Sequence, residues 1–331
     1  MNPRLLVNRS LVEHSVRRSD SIMRAVMLAL LPGTLLHAWL IDGRVLLVLA
    51  TCALAALVAE ALALTLRRRL VTSTLLDGSA LLSAWLLALC LPPSLPLWQV
   101  VIGAAVMILL GKQVFGGLGQ NPFNPAMLGF AFLIVSFPVT MTDWSGIASF
   151  DDWRGAANMI TSVDGVSGAT PLDRSVTMDP SVAGARADWA TRAERTLSSP
   201  WPWVALAWFA AGLWLLWQKL IDWRLPAGFL ASIVTLHLLS LLMRGDAMTL
   251  ASLFALPLSG ALMFTAVFVI TDPVTAPSSH GARWFYGALA GALCWSLREF
   301  SSYPEGAAFA VLLANATVPL IDHVSLRSPG R

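Results

Sequence analysis

Residues 44–66 read RVLLVLATCALAALVAEALALTL, a run of apolar side chains interrupted inside only by Glu60. A helix of about 20 mostly apolar residues is long enough to cross a lipid bilayer. The whole chain has the same bias, because 56% of its 331 residues are hydrophobic and only 12% are charged. Soluble domains carry about 25% charged residues. The sequence therefore predicts a membrane protein.

Ten apolar segments of this kind predict an all-α polytopic membrane protein with about ten transmembrane helices. They divide the chain into a first half, residues 1–138, a polar loop, residues 139–200, and a second half, residues 201–331. The predicted spans are roughly 22–41, 44–66, 75–92, 97–114 and 123–138, then 201–219, 225–243, 250–271, 284–298 and 306–321.

Lys and Arg predict the orientation, because positive charges stay on the cytoplasmic side. With a cytoplasmic N-terminus, the inner segments hold fourteen basic residues and the short outer loops hold three: Arg44, Arg244 and Arg298. Both termini are then cytoplasmic, and the long loop lies on the opposite side of the membrane. The net charge of only +3 argues against nucleic acid as a partner.

The two halves resemble each other. Residues 79–82 read SALL and residues 260–263 read GALM, and a proline follows each at the same distance, Pro92 and Pro273. The matching spans are five apart, an odd number, so the halves would have opposite orientations. This predicts two inverted five-helix repeats, an arrangement that places a site between the halves. Shared apolar composition alone would produce part of this similarity.

The polar loop contains DGVSGAT, residues 164–170. Small residues at Ser167, Gly168 and Ala169 leave room for a bulky group against the backbone, and Thr170 supplies a hydroxyl. Asp164 is placed to orient the segment. The pattern D-x-x-S-G-A-T resembles the site at which flavin mononucleotide (FMN) is attached to a Thr hydroxyl through a phosphoester. The alternative is an ordinary turn, since Asp, Gly and Ser all favour turns.

A second motif, GKQVFGGLGQNPFNPA, occupies residues 111–126. Its glycines and two Asn-Pro pairs cannot continue a helix. Non-helical backbone at membrane depth persists only where protein buries it or a cavity adjoins it. The amides of Asn121 and Asn124 could bind the polar edge of a planar ligand, with Phe115 and Phe123 on its faces. The alternative is a tight loop that needs sharp turns.

Here the chain closely resembles a known family. The stretch KQVFGGLGQNPFNPA is similar to the D subunit of the Rnf ion-translocating oxidoreductase, and more distantly to the B subunit of sodium-translocating NADH:quinone oxidoreductase. Further matches are TDPVTA at 271–276, YPEGAAFAVLLAN at 303–315 and VPLID at 318–322. The resemblance covers nearly the whole chain, and it is weakest in residues 139–163 and 175–200.

The resemblance implies that Thr170 carries covalent FMN, with Asp164, Ser167, Gly168 and Ala169 around it, installed by a separate flavin transferase. It also implies a second, non-covalent flavin, a riboflavin, which we place near the group Gly116, Gly117, Asn121 and Asn124. The chain would then relay electrons between NADH- or ferredoxin-linked partner subunits, including a second flavoprotein and iron–sulfur subunits. It has no dinucleotide fingerprint and no cysteine cluster of its own.

Ionisable residues inside predicted spans are functional candidates. Asp272, before Pro273 where the eighth span ends, is our first candidate for coupling electron flow to movement of Na⁺ or H⁺, and Glu60 is the second. We expect Asp77 only to cap a helix or to pair with a cytoplasmic Arg. A secondary transporter is the alternative function, because ten spans, an inverted repeat and Gly/Pro-broken segments also fit that class. It leaves the motif at Thr170 unexplained.

Overall fold

The computed structural model describes residues 3–144, 189–244, 250–300 and 306–327. Every regular element in these ranges is helical, so the prediction of an all-α fold is confirmed. The motif Asp164 to Thr170 lies outside the described residues.

The first half contains seven α-helices and one π-helical turn. In order these are α1 (Pro3–Leu40), α2 (Val45–Leu66), α3 (Val71–Leu75), α4 (Ser79–Cys90), α5 (Leu97–Ile108), π1 (Leu109–Gln113), α6 (Pro125–Ser136) and α7 (Pro138–Met141).

The second half begins with a helix that ends the polar loop. Its elements are α8 (Trp189–Ser198), α9 (Trp201–Trp217), α10 (Arg224–Arg244), α11 (Leu250–Leu258), α12 (Leu262–Phe264), π2 (Thr265–Val269), α13 (His280–Phe300) and α14 (Ala307–Arg327).

Four helices in the described part are long and apolar enough to cross a bilayer by length and composition. They run over Asp20–Leu40, Val45–Leu66, Arg224–Arg244 and Ala307–Ser325. Shorter apolar helices accompany them, at Ser79–Cys90, Leu97–Gln113, Pro125–Ser136 and Trp201–Trp217. Large apolar side chains such as Trp39, Trp217 and Leu242 are exposed around this set, as expected of a surface that faces lipid. The protein is a polytopic membrane protein.

Two of the ten predicted spans are wrong as continuous helices. The predicted span 75–92 starts at the last residue of α3, and its continuous helix is α4 alone, which begins only at Ser79. The predicted span 250–271 is split into α11 and the α12–π2 segment. Each break contains a glycine with positive φ, Gly78 at 75° and Gly260 at 57°, a conformation that L side chains rarely adopt. Pro257, just before the second break, has no backbone N–H and so cannot donate a helical hydrogen bond. The breaks fall at nearly matching positions of the two halves.

Helix pairing repeats between the halves. Helix α2 packs on α5 and α5 on α6, just as α10 packs on α13 and α13 on α14. The halves contact each other through α1 with α9 and through α6 with α14, and both of these pairs join equivalent helices of the two repeats. This is the pairing expected of two copies of one unit related by a two-fold axis. Their opposite orientation in the membrane stays a prediction.

Glycines bring α10 and α13 close together in the second half. A Cβ on Gly287 would lie 2.6 Å from the carbonyl oxygen of Leu225, and one on Gly291 would lie 2.3 Å from that of Phe229. Small residues let helix backbones approach closely in membranes, where burial of apolar surface no longer drives association.

Candidate functional site

A cavity of about 70 Å³ lies between the two halves. That is room for a few water molecules, since one needs about 10–15 Å³ measured in this way. Apolar side chains of α1, α4, α9 and π2 form much of its wall. Its polar wall is contributed by both halves, through Ser79, Lys112, Asn121, Asn124, Thr271 and Asp272.

Irregular backbone delivers most of these polar groups. Lys112 lies in the π1 turn, and Thr271 and Asp272 follow directly after π2. Single π-helical turns inside α-helices often occur at functional sites, because the extra residue re-aims the side chains around it. The Asn-Pro motif between π1 and α6 provides Asn121 and Asn124. The non-helical backbone therefore adjoins a cavity, as its depth in a membrane chain requires.

Asn124 joins the two halves beside the cavity. Its Oδ1 caps α6 by accepting hydrogen bonds from the backbone N–H groups of Ala126, at 3.0 Å, and Met127, at 3.3 Å. Its Nδ2 donates across to the carbonyl oxygen of Val269 in π2, at 3.5 Å. Asn124 is 2% exposed, and its cap satisfies two backbone donors that the helix itself cannot.

Asn121 has an unused acceptor. Its Nδ2 donates to the carbonyl oxygen of Phe123 at 3.0 Å. Its Oδ1 is buried and has no hydrogen-bond partner among the described residues. An unsatisfied buried polar atom is costly, by about 1–3 kcal/mol. Asn121 therefore brings a buried acceptor without a partner among the described residues to the wall of the cavity.

Gly116 and Gly117 do not line the cavity, whereas Asn121 and Asn124 do. The four residues predicted to surround the non-covalent flavin therefore do not lie together. Both have positive φ, 121° and 110°, and they form a partly exposed turn after π1. Arg69 Nη1 holds this turn by donating to the carbonyl oxygen of Gly116 at 2.8 Å. Phe115 is 40% exposed, and neither it nor Phe123 lines the cavity. The predicted role of these rings as ligand contacts is not supported.

Glu60 belongs to a buried hydrogen-bonded network that the sequence does not predict. Lys112 Nζ donates to Glu60 Oε1 and, at 2.6 Å, to Ser79 Oγ. Gln113 Nε2 donates to the same Glu60 oxygen at 2.9 Å. Lys112 is 2% exposed and Glu60 is fully buried. Lys112 is one of the fourteen basic residues counted above for the inner segments, and the structure shows it in an internal ion pair.

Asp77 has the capping role that was predicted. Its Oδ1 accepts a hydrogen bond from the backbone N–H of Ser79 at 2.7 Å, at the start of α4, and another from Ser79 Oγ. Ser79 therefore connects Asp77 to Lys112 and so to Glu60. Arg67 joins the network at its edge by donating to the carbonyl oxygen of Gln113 at 2.7 Å.

Asp272 occupies the cavity wall without a cationic partner in the part of the chain that the structure describes. Its Oδ1 accepts from the backbone N–H of Val274 at 3.1 Å, and its Oδ2 accepts from Thr275 Oγ1 at 3.3 Å. This is an Asx-type turn closed by neutral donors. The half-buried carboxylate keeps acceptor capacity towards the cavity.

The loop after Asp272 is tied down at its far end. Asp322 accepts from the backbone N–H and the hydroxyl of Ser278, both at 3.1 Å. Arg283 Nη1 donates to Asp222 Oδ2 at 2.7 Å. Burial opposes ionisation of Asp222, but hydrogen bonds from the Arg224 backbone, Arg283 and Arg224 outweigh it, so the pKa of Asp222 is lowered. These contacts fix the segment from 272 to 283 against α14 and the start of α10.

The two ends of the polar loop meet at one place. Trp144 contacts Trp201 edge-on, with ring centroids 6.1 Å apart, and His37 contacts the same indole at 5.5 Å. The loop that contains Thr170 therefore leaves and re-enters the bundle beside the end of α1. The predicted attachment site itself lies outside the described residues, so it stays a prediction; its members are Asp164, Ser167, Gly168, Ala169 and Thr170.

Fold and site define a class: a helical membrane protein of two similar halves, with a polar cavity between them. Comparison with known sequences identifies the family. The chain matches the NQR2, RnfD, RnfE family over residues 7–329, and it therefore belongs to that family.

Its relatives share most of its length. It is 42% identical over 334 residues to the D subunit of the ion-translocating oxidoreductase complex of Escherichia coli O81 (strain ED1a). It is also 42% identical, over 339 residues, to the same subunit of Escherichia coli (strain K12 / DH10B). In both comparisons 94% of each chain is covered. The resemblance seen in the motifs is confirmed at the level of the family.

Proposed function

We propose that this chain is the D subunit of an ion-translocating oxidoreductase complex, a flavin-carrying membrane subunit of a redox-driven ion pump. It relays electrons between NADH- or ferredoxin-linked partner subunits and couples this flow to movement of Na⁺ or H⁺. The observation that carries the proposal is the family membership together with the cavity, where Asn121, Lys112 and Asp272 of the two halves converge.

The proposal includes covalent FMN on Thr170. FMN supplies reversible one- and two-electron transfer. The chain contributes the Thr170 hydroxyl as the attachment point, with small neighbours at Ser167, Gly168 and Ala169 that leave the backbone accessible. Asp164 orients the segment for the flavin transferase. A covalent bond removes the need for equilibrium binding of the FMN.

A non-covalent riboflavin is proposed beside Asn121 and Asn124, and no longer beside Gly116 and Gly117. Asn121 Oδ1, a buried acceptor without a partner among the described residues, suits the ring N–H of a flavin. The cavity of about 70 Å³ holds only a few water molecules, so the loop at Asn121 would have to open for the flavin to bind. Asn124 is occupied as the cap of α6, so its role there is to hold the loop in place.

Ion coupling is proposed at Asp272, with Glu60 second. Asp272 lines the same cavity as Asn121, so its affinity for a cation depends on the charge held beside Asn121. Charges within a few ångströms interact strongly where water is scarce. Carboxylate and hydroxyl oxygens are ligands that hard cations prefer.

The complex is proposed to lie in the bacterial inner membrane, with both termini of this chain in the cytoplasm and the FMN loop in the periplasm. A second flavoprotein subunit and iron–sulfur subunits are the proposed electron partners. The excess of Arg and Lys in the segments assigned to the cytoplasm supports this orientation.

Fluorescence of the denatured chain under ultraviolet light tests the flavin. We expect a fluorescent band at the mass of the chain after co-expression with the flavin transferase. Thr170→Ala should abolish it, whereas Thr177→Ala, a threonine seven positions further along the same loop, should keep it. A dark wild-type band would contradict the proposal.

A secondary transporter is the second candidate. The observation that favours it is the pair of broken helices at Gly78 and Gly260, at nearly matching positions of two similar halves, because discontinuous helices often surround a transport site. It predicts no fluorescent band and solute flux without electron flow.

A further inference from the structure

We propose that Lys112 is a tethered cation, whose ammonium group occupies a site on Glu60 and Ser79 that the translocated monovalent cation, Na⁺ or H⁺, takes in turn. The inference deepens the ion coupling proposed above and rests on it. It assigns to Lys112 a role in controlling access from the central cavity to Glu60.

Burial of this ion pair is not explained by a gain in stability. Glu60 is fully buried and Lys112 is 2% exposed. Removing two charges from water costs several kcal/mol for each ion, and the attraction between them often only offsets that cost. Apolar residues of similar size would stabilise the bundle at least as well. A buried pair in the membrane is thus a functional candidate.

Lys112 separates Glu60 from the cavity. Lys112 and Ser79 both line the cavity, whereas Glu60 does not. The ammonium group donates to Glu60 on one side and to Ser79 Oγ, at 2.6 Å, on the other. A cation that enters the cavity therefore meets the ammonium group before it reaches the carboxylate.

The carboxylate next to Lys112 has capacity to bind a cation. Glu60 uses only Oε1, which accepts from both Lys112 and Gln113. Its Oε2 is buried and has no partner in the described part of the chain. With the ammonium group displaced, both carboxylate oxygens and the Ser79 hydroxyl become available. Such hard oxygens suit Na⁺, and a carboxylate equally accepts a proton.

The displaced ammonium group has a second carboxylate within the same cavity. Asp272, from the other half, lines that cavity and is bound only by the neutral donors Val274 and Thr275 among the described residues. Exchange then adds one positive charge that offsets the charge of an ionised Asp272: the incoming cation pairs with Glu60, and the ammonium group pairs with Asp272. The π1 turn aims Lys112 and Gln113, adjacent in sequence, at the same carboxylate.

The test uses the whole complex in proteoliposomes, with electron flow measured against Na⁺ concentration at fixed pH and against pH at fixed Na⁺. Lys112→Met removes the competing cation and keeps most of the side-chain volume. If Na⁺ is the ion, the Na⁺ concentration for half-maximal rate should fall by about tenfold, within the usual range of coupling between sites. If H⁺ is the ion, the pH profile should move up by about one unit. Lys219→Met, at the chain's other lysine, which is exposed, should change neither.

A second variant covers the case in which Lys112→Met fails to assemble. Glu60→Gln with Lys112→Met removes both buried charges together. We expect it to assemble but to lose the cation dependence of the wild type. If this double variant keeps the wild-type Na⁺ and pH dependence, the pair is only structural and the inference is overturned. Lys112→Met with an unchanged half-maximal concentration and pH profile would overturn it as well.

These outcomes differ from a failure of the proposed function. If the wild-type complex transfers electrons with no dependence on Na⁺ or pH and forms no gradient, ion coupling itself is wrong. If the wild type shows the dependence and the Lys112 variants do not alter it, only the tethered cation is wrong.

Discussion

The two halves of the molecule hold the carboxylates at and next to the cavity in opposite ways. In the first half, Glu60 is paired with Lys112 and connected through Ser79 to Asp77, so the carboxylates share one closed network. In the second half, Asp272 sits after π2 with only neutral donors in the described residues. Two halves with the same helix pairing thus differ in electrostatics. The two similar halves together form the cavity, but the charged groups that they place at it are not equivalent.

Loss of one partner of the closed network should have the largest effect on stability. Glu60→Ala leaves a buried ammonium group without a counter-ion, which costs about 3–5 kcal/mol. Asp272→Ala removes a carboxylate held by two neutral hydrogen bonds and should cost about 1–2 kcal/mol. Unfolding of the purified chain in detergent, followed by circular dichroism, measures both. Equal losses would mean that the halves do not differ as described.

A substitution at the contact between α10 and α13 should have the next largest effect on stability. Gly291→Ala puts a Cβ 2.1 Å from Ser232 Oγ and 2.3 Å from the carbonyl oxygen of Phe229. Since the backbone of α10 must move, the free energy of unfolding should fall by about 1–3 kcal/mol. Gly281→Ala, in the first turn of the same helix with nothing within 4 Å of its Cβ, is the matched control. It should be neutral or slightly stabilising, and a larger loss there than at Gly291 would contradict the close contact.

The two asparagines of the cavity should differ by a smaller amount. Asn124→Ala removes the cap of α6 and the bond to Val269, with an expected loss of about 1 kcal/mol. Asn121→Ala removes a single donor bond together with an unsatisfied oxygen, so we expect a loss of less than about 1 kcal/mol. Asn121→Ala should instead lower the content of non-covalent flavin in the purified complex, measured by extraction. Full flavin content in that variant would exclude Asn121 as a ligand.

The sequence predicts the helices well where apolar runs are long, as in α2 and α10. It does not predict the breaks at Gly78 and Gly260. The segments around them are apolar on both sides, so hydrophobicity does not mark a turn, and the glycine is the only local signal. The π turns have no signal at all. Asn121 and Asn124 are predicted from their Asn-Pro motif, but their meeting with Asp272 depends on packing between the halves. From the sequence, Lys112 is only one of the basic residues that predict the membrane orientation. Its ion pair is not predicted, because its partner, Glu60, lies 52 residues earlier.

The central claim is that the cavity couples electron flow to cation movement through Asp272, the carboxylate of the second half. Asp272→Asn in the reconstituted complex tests it, because the amide keeps the size of the side chain and removes its charge. We predict that electron flow persists while the Na⁺ or H⁺ gradient formed per electron is largely lost. Electron flow and gradient that both match the wild type would contradict the claim.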